Sequence, residues 1–253
     1  MIPLWILILF AAAFGLAIGS FLNVLIFRTH EDVPLTGRSK CLKCEEPIEG
    51  RDLIPVLSYF LLRGRCRSCE EEISWQYPAV EAATGILFAF LAATMTDPAL
   101  FLRGVIFTIF LIIIFVYDLR YHYILDRFTL PAMILAAILN IASNAVSVPS
   151  MLIGGAVIGG FFLIQHVVSK GKWVGGGDVR MGVVMGLMLG WQNGLVALFL
   201  AYALGAFVGI ALILTRRLKM GSQVPFGTFL ALGTFIALLW GQPILDWYLR
   251  YFA

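Results

Sequence analysis

The sequence predicts an all-α integral membrane protein of about eight transmembrane helices, with a cytosolic zinc-knuckle loop between the first and second. Three observations carry this. Of the 253 residues, 60% are apolar and only 13% charged, and the mean hydropathy is +0.93, so most of the apolar surface must meet lipid rather than water. The apolar residues gather in runs close to the roughly 20 residues that cross a bilayer. The basic residues are confined to alternate connections: of 18 Lys and Arg, eight fall in 28–77, two in 118–127, three in 170–180 and three in 216–219.

In order, the expected spans are 4–27, 78–96, 99–117, 127–145, 150–168, 179–192, 194–214 and 225–241. Positive charge stays on the cytosolic side, so the N-terminus points outward, the four basic segments inward, and the C-terminus outward again. Only Arg103, near the outer end of span 99–117, and Arg250 lie on the other side. The formal charge of +3 therefore reflects topology and argues against a nucleic-acid partner.

Span 4–27 is too long for a cleaved signal peptide and too polar at its inner end, where Gly19, Ser20 and Asn23 stand. It carries Gly15 and Gly19 four apart. The same spacing recurs at Gly155/Gly159, Gly182/Gly186/Gly190 and Gly205/Gly209, where it lets helices approach closely.

Residues 28–77 form the one long hydrophilic segment. It holds all four cysteines, as Cys41-Leu42-Lys43-Cys44 and Cys66-Arg67-Ser68-Cys69, with 21 residues between the pairs. Paired knuckles supply four thiolates to a tetrahedral structural zinc site, and the metal would serve a segment this small as its core. The reducing cytosol disfavours disulfides; a redox dithiol pair is the alternative. Between the knuckles, 54–62 is apolar but too short to span, and either lies on the membrane surface or covers the metal module. The ring-rich 74–78 leads into span two, and Glu81, one turn inside it, must face protein or the interface. The three histidines, His30, His122 and His166, are too scattered for a second metal site.

Three acidic residues stand at inner helix ends: Asp118, Asp126 and Asp178. Carboxylates at a membrane edge are costly, which makes them functional candidates. Two brought together share a proton over a wide pH range. One can then take a proton from water while the other gives one to a carbonyl oxygen, which is peptide hydrolysis without a catalytic metal. Helix dipoles suggest the roles: Asp178 opens a span and would be the resting base, while Asp118 closes one and would be protonated. Gly175, Gly176 and Gly177 suit a backbone that passes close to an extended substrate. The bland readings are an N-cap for Asp178, and surface pairing of Asp118 and Asp126 with Arg120 and Arg127. The cluster Arg216, Arg217 and Lys219 reads as contact with anionic membrane lipids.

Across nearly the whole chain these residues resemble the type IV prepilin leader peptidase family, membrane aspartyl peptidases that are often also N-methyltransferases. The resemblance is carried by Gly19-Ser20-Phe21-Leu22-Asn23-Val24 and by the two cysteine pairs flanking Ile54-Pro55-Val56-Leu57-Ser58-Tyr59. Arg63-Gly64-Arg65-Cys66 and Tyr77-Pro78-Ala79-Val80-Glu81 continue it, followed by Gly175-Gly176-Gly177-Asp178 and Pro225-Phe226-Gly227-Thr228-Phe229-Leu230. The resemblance implies a bacterial inner-membrane enzyme whose active site faces the cytosol. It would cut the short basic leader of prepilins or pseudopilins after a glycine, then methylate the new terminal amine with S-adenosylmethionine. It implies Asp118 and Asp178 as the catalytic pair, Gly64 as the methylation-linked glycine, and Asp126, Gly175, Gly177 and Arg180 in support.

The chain departs from the family in two places. Leu125 stands where the family usually has proline, and Arg180 where it usually has lysine, a change of donor geometry at constant charge. The expected organisation is span one over 1–27, a methyltransferase-associated four-cysteine loop over 28–77, and a peptidase bundle over 78–253. The competing classes are a proton-coupled carrier, which would want mid-membrane carboxylates and internal repeats, and a non-catalytic zinc-ribbon assembly factor.

Overall fold

The computed structural model describes residues 3–216 and 224–252. Among them are eight α-helices, one short 3-10 helix and no named strand. Seven helices are long and apolar enough to cross a membrane. The chain divides into two compact units, one up to Phe101 and one from Leu102 onward.

The first unit contains α1 (Leu4–His30), the 3-10 helix Gly50–Leu53, α2 (Leu57–Leu61) and α3 (Gln76–Thr94). The predicted glycine spacing on α1 is used: a Cβ on Gly15 would lie 2.7 Å from the Thr84 carbonyl, and one on Gly19 2.7 Å from Glu81 Cα. Side-chain atoms larger than hydrogen would force the helices apart. Asn23, at the inner end of α1, is 1% exposed and donates to the Tyr77 carbonyl at 3.1 Å. Beyond α1, Arg28 draws the chain back by donating to the carbonyls of Pro34, Thr36, Gly37 and Arg38.

The apolar 54–62 segment becomes α2. Glu81 is buried on α3, where its Oε2 accepts the Val56 N–H at 2.7 Å. This contact satisfies an otherwise costly carboxylate and holds Val56 at φ 64, a left-handed conformation that a β-branched residue adopts only when its surroundings demand it.

The second unit holds most of α4 (Pro98–Tyr121), then α5 (Asp126–Ser143), α6 (Val148–Val168), α7 (Gly176–Leu214) and α8 (Phe226–Phe252). Asn144 ends α5 in the left-handed conformation, and Pro149 stands in the first turn of α6, both favoured terminus chemistries. Arg103, near the outer end of the expected span 99–117, lies inside α4 and is 8% exposed.

Helix α7 covers both expected spans 179–192 and 194–214 because it is two arms joined at Gly190, whose φ of 76 and ψ of −177 are not helical. The arms run antiparallel. A Cβ on Gly194 would lie 3.8 Å from Gly186 Cα, whereas eight residues of straight helix cover about 12 Å. The first arm (176–189) packs on α6 with almost no side chain between them: a Cβ on Gly186 would sit 2.1 Å from the Gly154 carbonyl carbon. The second arm (191–214) packs on α8, where a Cβ on Gly233 would meet the Ala197 carbonyl at 2.5 Å. Not every glycine in the spacing pattern packs, since nothing lies within 4 Å of a Cβ on Gly209. Of the last basic cluster, Arg216 closes the second arm, while Arg217 and Lys219 lie outside the described residues.

Candidate active site

Asp118 lies one turn before the end of α4 and is 5% exposed. Its Oδ2 accepts the Thr228 main-chain N–H at 2.7 Å and the Thr228 hydroxyl at 3.2 Å. Thr228 is in the first turn of α8, so the carboxylate of α4 rests on the amino end of another helix, where N–H groups and the dipole favour negative charge.

Asp178 is half-buried in the first turn of α7. It is not the N-cap: Gly175 holds that place in extended conformation, and Asp178 reaches back three residues so that its Oδ2 accepts the Gly175 N–H at 3.0 Å. Both aspartates therefore stand at a helix amino end. The dipole contrast drawn from their own helices disappears, because α8 offsets the unfavourable end of α4.

Ile124, 5% exposed, ties the two positions together. A Cβ on Gly177 would lie 2.9 Å from Ile124 Cβ, and one on Gly227 would lie 2.6 Å from Ile124 Cδ1 and 2.9 Å from Asp118 Cγ. These two glycines are required by close approach. Gly176 faces open space and Gly175 makes only ordinary contacts. Tyr117 and Phe128, both buried, meet edge to face at 6.0 Å and add apolar surface beside Asp118.

Asp126 and Arg180 pair with each other at 2.5 Å on the exposed rim, so Asp126 is not the partner of Arg127. Three contributors were missed as site residues in the sequence: Ile124, Gly227 and Thr228. The last two belong to the Pro225–Leu230 motif, and that motif was the available signal; Ile124 carried none.

In the first unit, the sulfurs of Cys41, Cys44, Cys66 and Cys69 all lie within 4.8 Å of one another, with Cys41 and Cys69 3.7 Å apart. A tetrahedron of roughly 2.3 Å metal–sulfur bonds has edges of about 3.8 Å, so the four thiols are placed to hold a metal ion and fit zinc. The β-bridges Lys40–Pro47 and Arg65–Glu72 close the two knuckles. The Cys44 and Lys43 amides draw the Cys41 thiol down to about 6. The Glu71 amide draws Cys69 down, but lost hydration and contact with the other thiols push it up to about 12. Four sulfurs this close cannot all ionise without a cation among them.

Around the cluster, Arg67 donates to both oxygens of Asp52 at 2.8 and 2.6 Å and holds that carboxyl below the usual range. Glu71 pairs with Lys43 and raises its ammonium. Gly64, at φ 70, sits where a Cβ would meet the Tyr59 hydroxyl at 2.9 Å. Tyr59, Phe60 and Trp75 meet nearly edge to face at 5.4–6.1 Å, and Phe60 and Trp75 are mostly exposed.

Comparison with known proteins agrees with both units. Residues 13–95 match the bacterial peptidase A24 N-terminal domain, and residues 105–210 match the type IV leader peptidase family. A protein of Aeromonas hydrophila named prepilin leader peptidase/N-methyltransferase is 32% identical, over 98% of this chain and 96% of its own. A protein of the same name from Bacillus subtilis is 32% identical over 94% and 96%, and one from Neisseria gonorrhoeae 30% over 95% and 94%. No solved structure matches. With both halves matched and full-length relatives above 30% identity, this multi-pass membrane chain belongs to the type IV prepilin leader peptidase family.

Proposed function

We propose that the chain is a prepilin peptidase in which Asp118 and Asp178 form the catalytic dyad, and that it also methylates the amine it creates. The observation that supports this reading is that Gly177, the neighbour of Asp178, and Gly227, which packs on Asp118, both press against the one side chain of Ile124. Each aspartate has one oxygen held by a helix-terminal N–H, which leaves the other oxygen of each for a shared water and substrate.

The chemistry follows from that arrangement. One carboxylate takes a proton from water as the oxygen attacks the scissile carbonyl, while the other carboxyl gives its proton to the carbonyl oxygen. The tetrahedral diol then collapses: the C–N bond breaks, and the leaving amine takes a proton from the dyad. Asp118 accepts two hydrogen bonds at Oδ2 and Asp178 one. Donors aimed at a carboxylate favour its charged form, so the resting anion is assigned to Asp118 and the shared proton to Asp178, the reverse of the order suggested by their own helix ends. The substrates are prepilins or pseudopilins, cut after the leader glycine. The confinement of basic residues to the connections flanking the dyad supports a cytosolic, inner-membrane site.

Zinc is assigned to Cys41, Cys44, Cys66 and Cys69 as a structural ion that orders the segment between α1 and α3. The methyl donor S-adenosylmethionine is assigned to the neighbourhood of Gly64. A sulfonium is attracted to ring faces, and the exposed faces of Phe60 and Trp75 lie beside Tyr59, which packs on Gly64. When bound, it supplies an electrophilic methyl group; the new terminal amine of the cut pilin supplies the electron pair.

The test is the mass of a prepilin peptide after incubation with purified protein and S-adenosylmethionine. Loss of the leader plus one methyl group supports both halves. An uncut peptide rejects the peptidase reading, and a cut but unmethylated one rejects the transferase.

A further inference from the structure

The first arm of α7 ends beside the start of α6, where a Cβ on Gly190 would meet Ser150 Oγ at 2.4 Å and Val146 Cγ1 at 2.8 Å. Met188 and Leu189 are buried there, so the last carbonyls of the arm are shielded from water. Unpartnered carbonyls there are costly. Asn140, fully buried on α5, donates to the Leu187 carbonyl at 2.7 Å and the Met188 carbonyl at 3.2 Å. Arg103 on α4 donates from Nη2 to the same Met188 carbonyl at 2.9 Å and from Nε to Asn140 Oδ1 at 2.6 Å. Its guanidinium also lies 4.9 Å from the centre of the Phe107 ring. No carboxylate pairs with Arg103 among the described residues; the negative end of the α7 arm faces it instead.

Arg103 and Asp118 share α4, while Met188 and Asp178 share the first arm of α7. Along the helices Arg103 is about 22 Å from Asp118 and Met188 about 15 Å from Asp178, and an extended arginine side chain spans most of the difference of about 7 Å. We propose that Arg103, braced by Asn140, is a positioning clamp. It fixes the axial register of the two aspartate-bearing helices, and so the separation of Asp118 and Asp178. This rests on the dyad reading above.

The test is steady-state cleavage of a prepilin peptide across pH by Arg103→Lys, Arg103→Met and Asn140→Leu, beside wild type, Asp118→Asn and Asp178→Asn. Displacements near 1 Å cost large factors in rate, so each clamp variant should lose about tenfold or more in kcat with KM within about twofold. The shape of the pH profile separates positioning from simple stability. Coupled carboxylates give widely spaced apparent pKa values, so aspartates moved apart should draw the acid and alkaline limbs together. His122, whose main-chain N–H donates to the Asp118 carbonyl at 2.8 Å, and the Asp126–Arg180 pair are unchanged in every variant. Arg103→Lys keeps the cation, so it and Asn140→Leu carry the test if Arg103→Met does not fold.

Lower amplitude with an unchanged profile, or unchanged kcat, would overturn the clamp. Cleavage by either aspartate variant at the wild-type rate would instead overturn the dyad on which the clamp acts.

Discussion

Asp118 on α4 accepts the main-chain N–H of Thr228 at 2.7 Å, so the carboxyl end of one helix is joined to the amino end of another across 110 residues of sequence. The contact gives Asp118 a seat for negative charge that the end of its own helix lacks. A helix amino end brings aligned N–H groups to an anion, and Asp118 has the one on α8 in addition to the Thr228 hydroxyl at 3.2 Å.

The hydroxyl share of this contact is separable. Thr228→Val keeps the amide bond and removes the second donor, which is worth about 1.5–3 kcal/mol to a charged group. It should lower kcat by roughly ten- to a hundredfold, while Thr228→Ser stays close to wild type. The measurement is kcat on a prepilin peptide, with folding checked by gel filtration.

Gly227 stands where no side chain fits. A Cβ would lie 2.6 Å from Ile124 Cδ1 and 2.9 Å from Asp118 Cγ, so Gly227→Ala should displace Asp118 and cost at least about a hundredfold in kcat. Adding Ile124→Val removes the first clash and leaves the second. The double variant should therefore remain impaired, which a peptide cleavage assay reads directly.

The Asp126–Arg180 pair is a rim contact. Both side chains are close to half exposed, at 50% and 41%, and exposed ion pairs contribute about 0.2–1 kcal/mol. Asp126→Asn and Arg180→Lys should each change kcat/KM by less than about fivefold, with the effect fading as salt rises. A loss near that of Asp178→Asn would move Asp126 into the dyad.

Metal removal should divide the two activities. Stripping the ion with a strong chelator, or Cys44→Ser, should open residues 28–75 to protease and abolish methyl transfer. Peptide cleavage by the aspartates should fall by no more than about tenfold, since zinc contributes folding energy at a structural site. Elemental analysis should find one zinc per chain before treatment.

Much of this was readable in advance. Hydropathy and charge located the spans, and the two knuckles announced a metal site because ligand spacing is a local property. Asp118 and Asp178 stood out because a carboxylate at a membrane edge is expensive wherever it occurs. What one dimension hides is who meets whom. The pairing of Asp126 with Arg180, rather than with its neighbour Arg127, depends on the approach of α5 to α7. The helix-end argument weighed each aspartate on its own helix, and missed the amino end that α8 brings to Asp118. Nothing local to Arg103 showed that the first α7 arm would end beside it with buried carbonyls in need of a donor.

The central claim is that Asp118 and Asp178 act on one water together. The direct measurement is leader cleavage by detergent-purified Asp118→Asn and Asp178→Asn, each shown to be folded and zinc-loaded. Loss of cleavage by at least about a thousandfold in both single variants, with the double variant no slower than either, is the result expected of residues acting as a unit. Wild-type cleavage by either one would contradict it.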